Sequence, residues 1–167
     1  MTKIPGDLKF DRLMGALLER TVSFLGEELN ASVLKTVASQ TVASDPELRD
    51  MTAIVGIGGR LNVLVALSFD KAFAGTMYAR MSEGLDIAPD EESLYRRDAA
   101  ADLVNEIVGN CAAAFADVDE AIELSPPIIL EGGRNIRIPK NAEYRGMCVK
   151  TDIGVVDIGF FGPREFF

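Results

Sequence analysis

The sequence contains no histidine and has only two cysteines among its 167 residues. Histidine is the usual general base near neutral pH and the commonest zinc ligand, so Ser-His-Asp and Cys-His catalysis are excluded and a zinc site is not expected. Cys111 lies in a predicted helix and Cys148 in a predicted strand, and we expect both to be buried thiols. Any chemistry must therefore rely on carboxylates, amides and the backbone.

Long apolar runs are also absent. Apolar runs such as residues 63–67 and 128–130 are far shorter than the roughly 20 residues that a membrane-spanning helix needs. The first ten residues mix charged and apolar side chains and lack the pattern of a secretory signal. We therefore expect a soluble, cytoplasmic protein with no membrane partner.

Positive charge is scarce as well. The formal net charge is −9 at pH 7 and the pI is about 4.5, so the chain should repel phosphate backbones and we expect no nucleic-acid partner. An apolar content of 48% is enough to build a sizeable core. At this length we expect a single domain over residues 1–167.

The pattern of apolar residues predicts both helices and strands. Helical periodicity favours helices over residues 7–29, 70–81 and 94–115. Strand-like segments lie at residues 32–43, 51–57, 61–69, 121–130, 135–138, 144–150 and 153–161. Pro126 and Pro127 interrupt the fourth of these segments, which must therefore be an edge or a bend. Because helices and strands do not alternate strictly, we predict an α+β fold in which a mostly antiparallel sheet packs against long helices.

A weak internal similarity appears at an offset of 83 residues, where Glu19-x-x-Val22-x-x-x-Gly26 superposes on Asp102-x-x-Asn105-x-x-x-Gly109. In both halves a helix then leads into strands. This similarity predicts an internal pseudo-two-fold repeat, although two amphipathic helices of similar length also share a few positions by chance.

One polar stripe runs along the third predicted helix. Asp98, Asp102 and Asn105 lie at positions i, i+4 and i+7, which a period of 3.6 residues places on one face. Apolar residues on the adjoining faces are expected to dock this helix on the sheet: Leu94, Ala99, Ala100, Leu103, Val104, Ile107, Val108 and Cys111. A polar face that merely contacts water would show the same pattern. Asp and Asn are nevertheless poor residues inside a helix, and Gly109 costs about 1 kcal/mol relative to alanine, which favours a functional role.

The stripe resembles the helix signature Asp/Ser-x-x-x-Glu-x-x-Asn of CheC, CheX and FliY, the response-regulator phosphatases of bacterial chemotaxis. The chain reads Asp98-Ala-Ala-Ala-Asp102-Leu-Val-Asn105, and the Gly109-Asn110 pair that follows is similar to CheX-type members. Ser125-Pro126-Pro127 resembles an element that follows this helix in the family, and residues 53–59 and 63–69 resemble the hairpin that precedes it.

The chain departs from the family pattern at two positions. Asp102 stands where the family has Glu, which shortens the reach of the carboxylate by one methylene. Val22 stands where a second site would need Asn, so the chain resembles the single-site CheX type more than the two-site CheC type.

The resemblance implies a CheC/CheX-like fold and a hydrolase-like role in chemotaxis or related two-component signalling. The protein would dock on a phosphorylated, CheY-like response regulator and promote hydrolysis of its aspartyl phosphate. Asn105 would then orient the attacking water and Asp102 would pair with a lysine of the regulator, with Asp98 as a secondary docking contact. The remaining residues predicted to bind the partner are Gly109, Asn110, Pro126 and Pro127.

The same resemblance implies that this chain holds no cofactor, because the Mg²⁺ would belong to the regulator. The spacing of the carboxylates also shows no metal-binding cluster. A homodimer is implied by the resemblance alone.

Two alternatives remain open. A non-catalytic adaptor with this fold would bind a response regulator without turnover, because the shorter Asp102 no longer supports hydrolysis. A small-molecule sensor or a self-associating domain would instead use an exposed apolar end formed by Phe160-Phe161 and Phe166-Phe167, which could equally pack within the chain.

Overall fold

The computed structural model describes residues 5–39, 45–59, 62–115 and 122–167. The helices are α1 (Pro5–Glu27), α2 (Lys71–Met81) and α3 (Glu92–Phe115). The strands are β1 (Val33–Ser39), β2 (Glu47–Leu48), β3 (Met51–Ile57), β4 (Val63–Phe69), β5 (Ile128–Glu131), β6 (Arg134–Asn135), β7 (Ala142–Thr151) and β8 (Gly154–Pro163). A 3₁₀ helix (Arg164–Phe166) follows β8.

Six of the strands form one sheet in the order β1-β7-β8-β4-β3-β5, and every neighbouring pair is antiparallel. The almost wholly apolar β4 lies inside the sheet, between β3 and β8. The proline-interrupted segment contributes β5 at the edge of the sheet, as expected from the missing N–H groups. The predicted α+β fold with an antiparallel sheet is therefore confirmed.

The helices cover one face of this sheet. On β4, the side chains of Val63, Val65, Leu67 and Phe69 are at most 1% exposed and face the helices. On the opposite face Leu64 is 48% exposed, whereas Ala66 and Ser68 are buried. Phe10 of α1 packs edge-on against Phe160 of β8, with ring centroids 5.2 Å apart. Phe73 of α2 stacks on Phe69 of β4, also at 5.2 Å. These contacts place the apolar core between one helical layer and one sheet.

Local sequence signals account for the limits of α2. Asp70 is its N-cap, and the Asp70 carboxylate accepts a hydrogen bond of 2.8 Å from the backbone N–H of Phe73. Gly84, with φ of +82°, follows the end of the helix in the left-handed region. The helix predicted over residues 70–81 is thus confirmed with its cap.

The two short strands β2 and β6 form a separate antiparallel ribbon. Arg49, next to β2, holds this ribbon to the main sheet, because its guanidinium donates to the Asp157 carboxylate on β8 at 2.5 Å and 3.3 Å. The backbone N–H of Arg49 also donates to the hydroxyl of Ser68 on β4 at 2.7 Å. The strand predicted at residues 135–138 is wrong beyond Asn135, since the ribbon pairs only Arg134 and Asn135 with β2.

Other sequence-based expectations also need correction. Cys111 is buried, and burial raises the pKa of its thiol to about 11, but Cys148 is only partly buried on the face of the sheet without helices. The prediction of an exposed aromatic end is wrong for Phe160 and Phe167, whose side chains are 0% and 9% exposed. Phe167 packs on Phe10 with ring centroids 4.7 Å apart, so the argument for self-association through this end is lost.

The internal repeat is not confirmed. At the offset of 83 residues, α2 would superpose on strand β8 instead of on a helix. Residues 40–43 of the first predicted strand lie outside the described residues. In the part of the chain that the structure describes, no helix is both long and apolar enough to cross a bilayer.

Candidate functional site

Helix α3 is held firmly on its inner side. The side chains of Ala100, Leu103, Val104, Ile107, Val108 and Cys111 are at most 1% exposed. Its first half contacts α2, where the guanidinium of Arg96 lies 5.4 Å from the ring centroid of Tyr78. Its second half contacts α1, where the Cys111 thiol donates to the backbone carbonyl of Leu13 at 3.9 Å. A helix packed along two neighbours and a sheet is a rigid support for its outer face.

The outer face of α3 carries the predicted stripe. Asp98, Asp102 and Asn105 are all exposed, so the amide of Asn105 projects away from the sheet. Among the described residues, no hydrogen bond or ion pair engages these three side chains. Asp102 and Asn105 are three positions apart, which puts their Cβ atoms about 5–6 Å apart on the helix surface. One carboxylate and one amide are therefore displayed side by side.

The structure separates Asn110 from this stripe. Asn110 lines a groove between α1 and α3 together with Arg20, Ser23, Glu27 and Glu106. The cavity in this groove is about 30 Å³, room for no more than a few water molecules. Asn110 therefore lies toward α1 and does not share the line of Asp98, Asp102 and Asn105, although it is exposed.

Gly109 is half-buried in the same helix, and a Cβ atom placed there would meet nothing within 4 Å. The interior of the protein therefore does not require a glycine at this position. Its predicted role in binding a partner stays a prediction.

Pro126 and Pro127 lie at the sheet edge, between an isolated bridge that joins Leu124 to Ile57 and the start of β5. The hydroxyl of the preceding residue, Ser125, accepts a hydrogen bond of 2.8 Å from the backbone N–H of Gly56. This segment thus continues the edge of the sheet along β3. No contact recorded between described residues joins the two prolines to the stripe, and their role as partner contacts stays a prediction.

The sequence-based prediction for Leu94 is wrong. We expected it to dock α3 on the sheet, but it is 58% exposed, and its neighbour Tyr95 is 37% exposed. The helical period could have predicted this exposure, because Leu94 precedes Asp98 by one turn and Asn105 by three turns. Leu94 therefore belongs to the same face as the stripe.

An exposed carboxylate and amide on a convex helix can orient groups that another molecule brings. Asp102 can accept from a cation, and the amide of Asn105 can both donate to and accept from water. Within the described ranges, no group of three or more carboxylates or cysteines could hold a metal ion. The arrangement lacks the enclosing walls that exclude water from a small substrate. A reaction centre at this site would therefore need a second macromolecule to cover the stripe.

Comparisons with known proteins bear on this site. The family model described as "Chemotaxis phosphatase CheX" matches residues 51–151, which is more than half of the chain. A search of curated proteins finds no match.

Solved structures show the same fold. The crystal structure of the chemotaxis protein CheX from Desulfovibrio desulfuricans superposes with a TM-score of 0.73 and 20% identity, covering 89% of this chain and 97% of that one. CheX from Vibrio vulnificus gives a TM-score of 0.69 at 16% identity, with 90% and 99% covered. A CheX–CheY–BeF₃–Mg²⁺ complex from Borrelia burgdorferi gives 0.68 at 17% identity, with 90% and 97% covered. Because the sequence identities are this low, the superpositions bear on the fold alone. They confirm the predicted CheC/CheX-like fold.

Proposed function

Since the chain belongs to the CheX family of chemotaxis phosphatases, we propose that it docks on a phosphorylated CheY-like response regulator and promotes hydrolysis of the aspartyl phosphate. The observation that carries this proposal is the exposed pair of Asp102 and Asn105 on the rigid outer face of α3. These side chains have no described partner within the chain, so they are available to another molecule.

Asn105 is the residue to which we assign the orientation of water. Hydrolysis forms a bond between the water oxygen and phosphorus and breaks the bond to the aspartyl oxygen, which returns the carboxylate and releases phosphate. The water must lie in line with the leaving oxygen. A side-chain amide can hold such a water because it has one acceptor and two donor positions. Fixing the water in this way lowers the entropic part of the barrier.

Asp102 supports the same reaction by fixing the docking geometry. Its carboxylate is one turn before Asn105, and an ion pair with a lysine of the regulator would set the position of the amide over the phosphate. Asp98, one further turn away, adds a second acidic docking contact. Gly109, Asn110, Pro126 and Pro127 remain the other proposed contact residues.

The Mg²⁺ in this proposal belongs to the regulator, where it neutralises charge on the phosphoryl group. One structural neighbour is described as a complex of CheX with CheY, BeF₃ and Mg²⁺, which supports a receiver domain as the partner class.

A phosphate-release assay with candidate phosphorylated receiver domains tests the proposal. We expect the protein to accelerate release from at least one receiver by at least about a hundredfold, since positioning and activation of a nucleophile typically contribute that much or more. Acceleration of none of the candidates, at protein concentrations that exceed those of the receivers, would contradict the phosphatase function.

A second candidate function is a regulator-binding module without catalysis. The short side chain of Asp102 favours this candidate, because it departs from the Glu of the family signature. Binding of a receiver loaded with beryllofluoride, combined with no acceleration of phosphate release, would identify the protein as this module.

The Asp102→Glu variant tests the reach of the carboxylate. We expect activity to be retained or to increase by up to about tenfold, because the added methylene restores the reach that a lysine partner requires. The measurement is kcat/KM for phosphate release. Asp86→Glu, the same change in the exposed loop before α3, serves as the control. A folded Asp102→Glu variant that loses activity would mean that α3 docks in another geometry.

A further inference from the structure

Two large apolar side chains stand exposed at the beginning of α3. Leu94 is 58% exposed and Tyr95 is 37% exposed. Among the described side chains of this helix, no other large apolar group is exposed. The other exposed side chains described on this helix are charged, amide or small. Leu94 and Tyr95 are therefore the large apolar side chains that the described part of this helix exposes.

Helical geometry aligns this pair with the acid–amide pair. Leu94 precedes Asn105 by eleven residues, which is three turns and about 16 Å. Tyr95 precedes Asp102 by seven residues, which is two turns and about 10 Å. Asp98 lies between the two pairs on the same face. All five side chains can thus contact one flat partner at the same time.

The size of a stable interface requires more than the acid–amide pair. A standard protein–protein interface buries about 800 Å² on each partner, whereas Asp98, Asp102 and Asn105 span only about 10 Å of one helix. Exposed ion pairs also add little net affinity, because the separated charges are well solvated. Affinity in such interfaces comes mostly from a few side chains buried at the centre, among which tyrosine is frequent and leucine is less so. The docking face must therefore extend beyond the acid–amide pair, and on α3 the exposed Leu94 and Tyr95 supply the additional contact area, with Tyr95 as the stronger anchor.

We propose that Leu94 and Tyr95 are the apolar anchor of the docking surface and pack on an apolar patch of the receiver domain close to its phosphorylated aspartate. This inference rests on the proposed function. It divides the roles on α3: the anchor sets how tightly the regulator binds, and Asp102 with Asn105 sets how fast the phosphate is lost.

Binding and turnover measured on the same variants test this division. The probe is the receiver domain that the wild-type protein dephosphorylates, loaded with beryllofluoride and Mg²⁺, and the readouts are Kd by titration calorimetry and kcat for phosphate release. We expect Leu94→Ala and Tyr95→Ala each to raise Kd about tenfold, with kcat at saturation within about twofold of wild type. Alanine is the best helix former, so both variants should keep the fold.

Leu34→Ala is the matched control. Leu34 is 68% exposed on β1, the edge strand opposite β5, so its truncation should leave Kd unchanged. A double variant Leu94→Ala/Tyr95→Ala that binds within about twofold of wild type, while Asn105→Ala still stops turnover, would overturn the anchor and leave the proposed function standing. Unchanged Kd together with an altered oligomeric state would instead assign the pair to a contact between copies, which also overturns it. Wild-type protein that neither binds nor dephosphorylates any receiver would end both proposals.

Discussion

In the Asn105→Ala variant, kcat for phosphate release should fall by at least about a hundredfold. A loss of this size is typical when a group that positions a reacting atom is removed. The fold should persist because the amide is exposed and has no described partner within the chain. Truncation to alanine at an exposed helical position changes stability by less than about 0.5 kcal/mol. The loss would therefore report on the reaction and not on folding.

Two measurements separate an effect of this variant on the reaction from an effect on binding. Phosphate release at saturating protein gives kcat, and titration of a beryllofluoride-loaded receiver gives Kd, which should change by no more than about threefold because Asn105 acts mainly in the transition state. Asn135→Ala removes an exposed amide from the β2–β6 ribbon and should have wild-type activity. Equal kcat for the wild type and Asn105→Ala would remove the phosphatase claim.

The elements that sequence predicted well are those with long, regular patterns. Each predicted helix is present, and β4, in which nearly every residue is apolar, is present as a strand inside the sheet. The β2–β6 ribbon could not be predicted, because it consists of only two residue pairs. It is held by Arg49 and Asp157, which lie 108 residues apart in the sequence. A local pattern contains no information about such a contact.

Long-range packing also explains the errors at the aromatic end. Each of Phe160 and Phe167 has another phenylalanine as its neighbour in the sequence, which gives no sign of burial, but both rings contact Phe10 near the other end of the chain. Cys148 is less buried than expected since its strand, β7, has one face without helices. In each case the exposure of the side chain depends on elements that are distant in sequence.

The candidate site was more predictable than these contacts because one helix contains it. A single period places Asp98, Asp102 and Asn105 together whatever α3 packs against. The same period also placed Leu94 on that face, but we read it as a core residue because it is apolar. Hydrophobicity alone does not distinguish a core residue from an anchor for a partner. Only the position of α3 on the sheet makes that distinction.

The Gly154→Ala variant should lose about 3 kcal/mol of unfolding free energy. Gly154 has φ of +142°, a conformation that side chains rarely adopt and that costs roughly 1–3 kcal/mol. An added Cβ would also lie 2.5 Å from both the Asp70 carboxylate oxygen and the backbone nitrogen of Phe73. These two atoms form the N-cap hydrogen bond of α2, and loss of such a cap costs about 1 kcal/mol more. Urea unfolding at neutral pH gives the measurement.

Gly75→Ala provides the matched control for this glycine. Gly75 lies in α2 and is exposed, and an added Cβ would meet nothing within 4 Å. Alanine there should stabilise the protein by up to about 1 kcal/mol, since glycine is a poor helix former. A loss below about 1 kcal/mol for Gly154→Ala would show that the start of β8 can move away from the cap. A loss of the expected size would show that the close approach of the β8 turn to the cap of α2 cannot relax around an added methyl group.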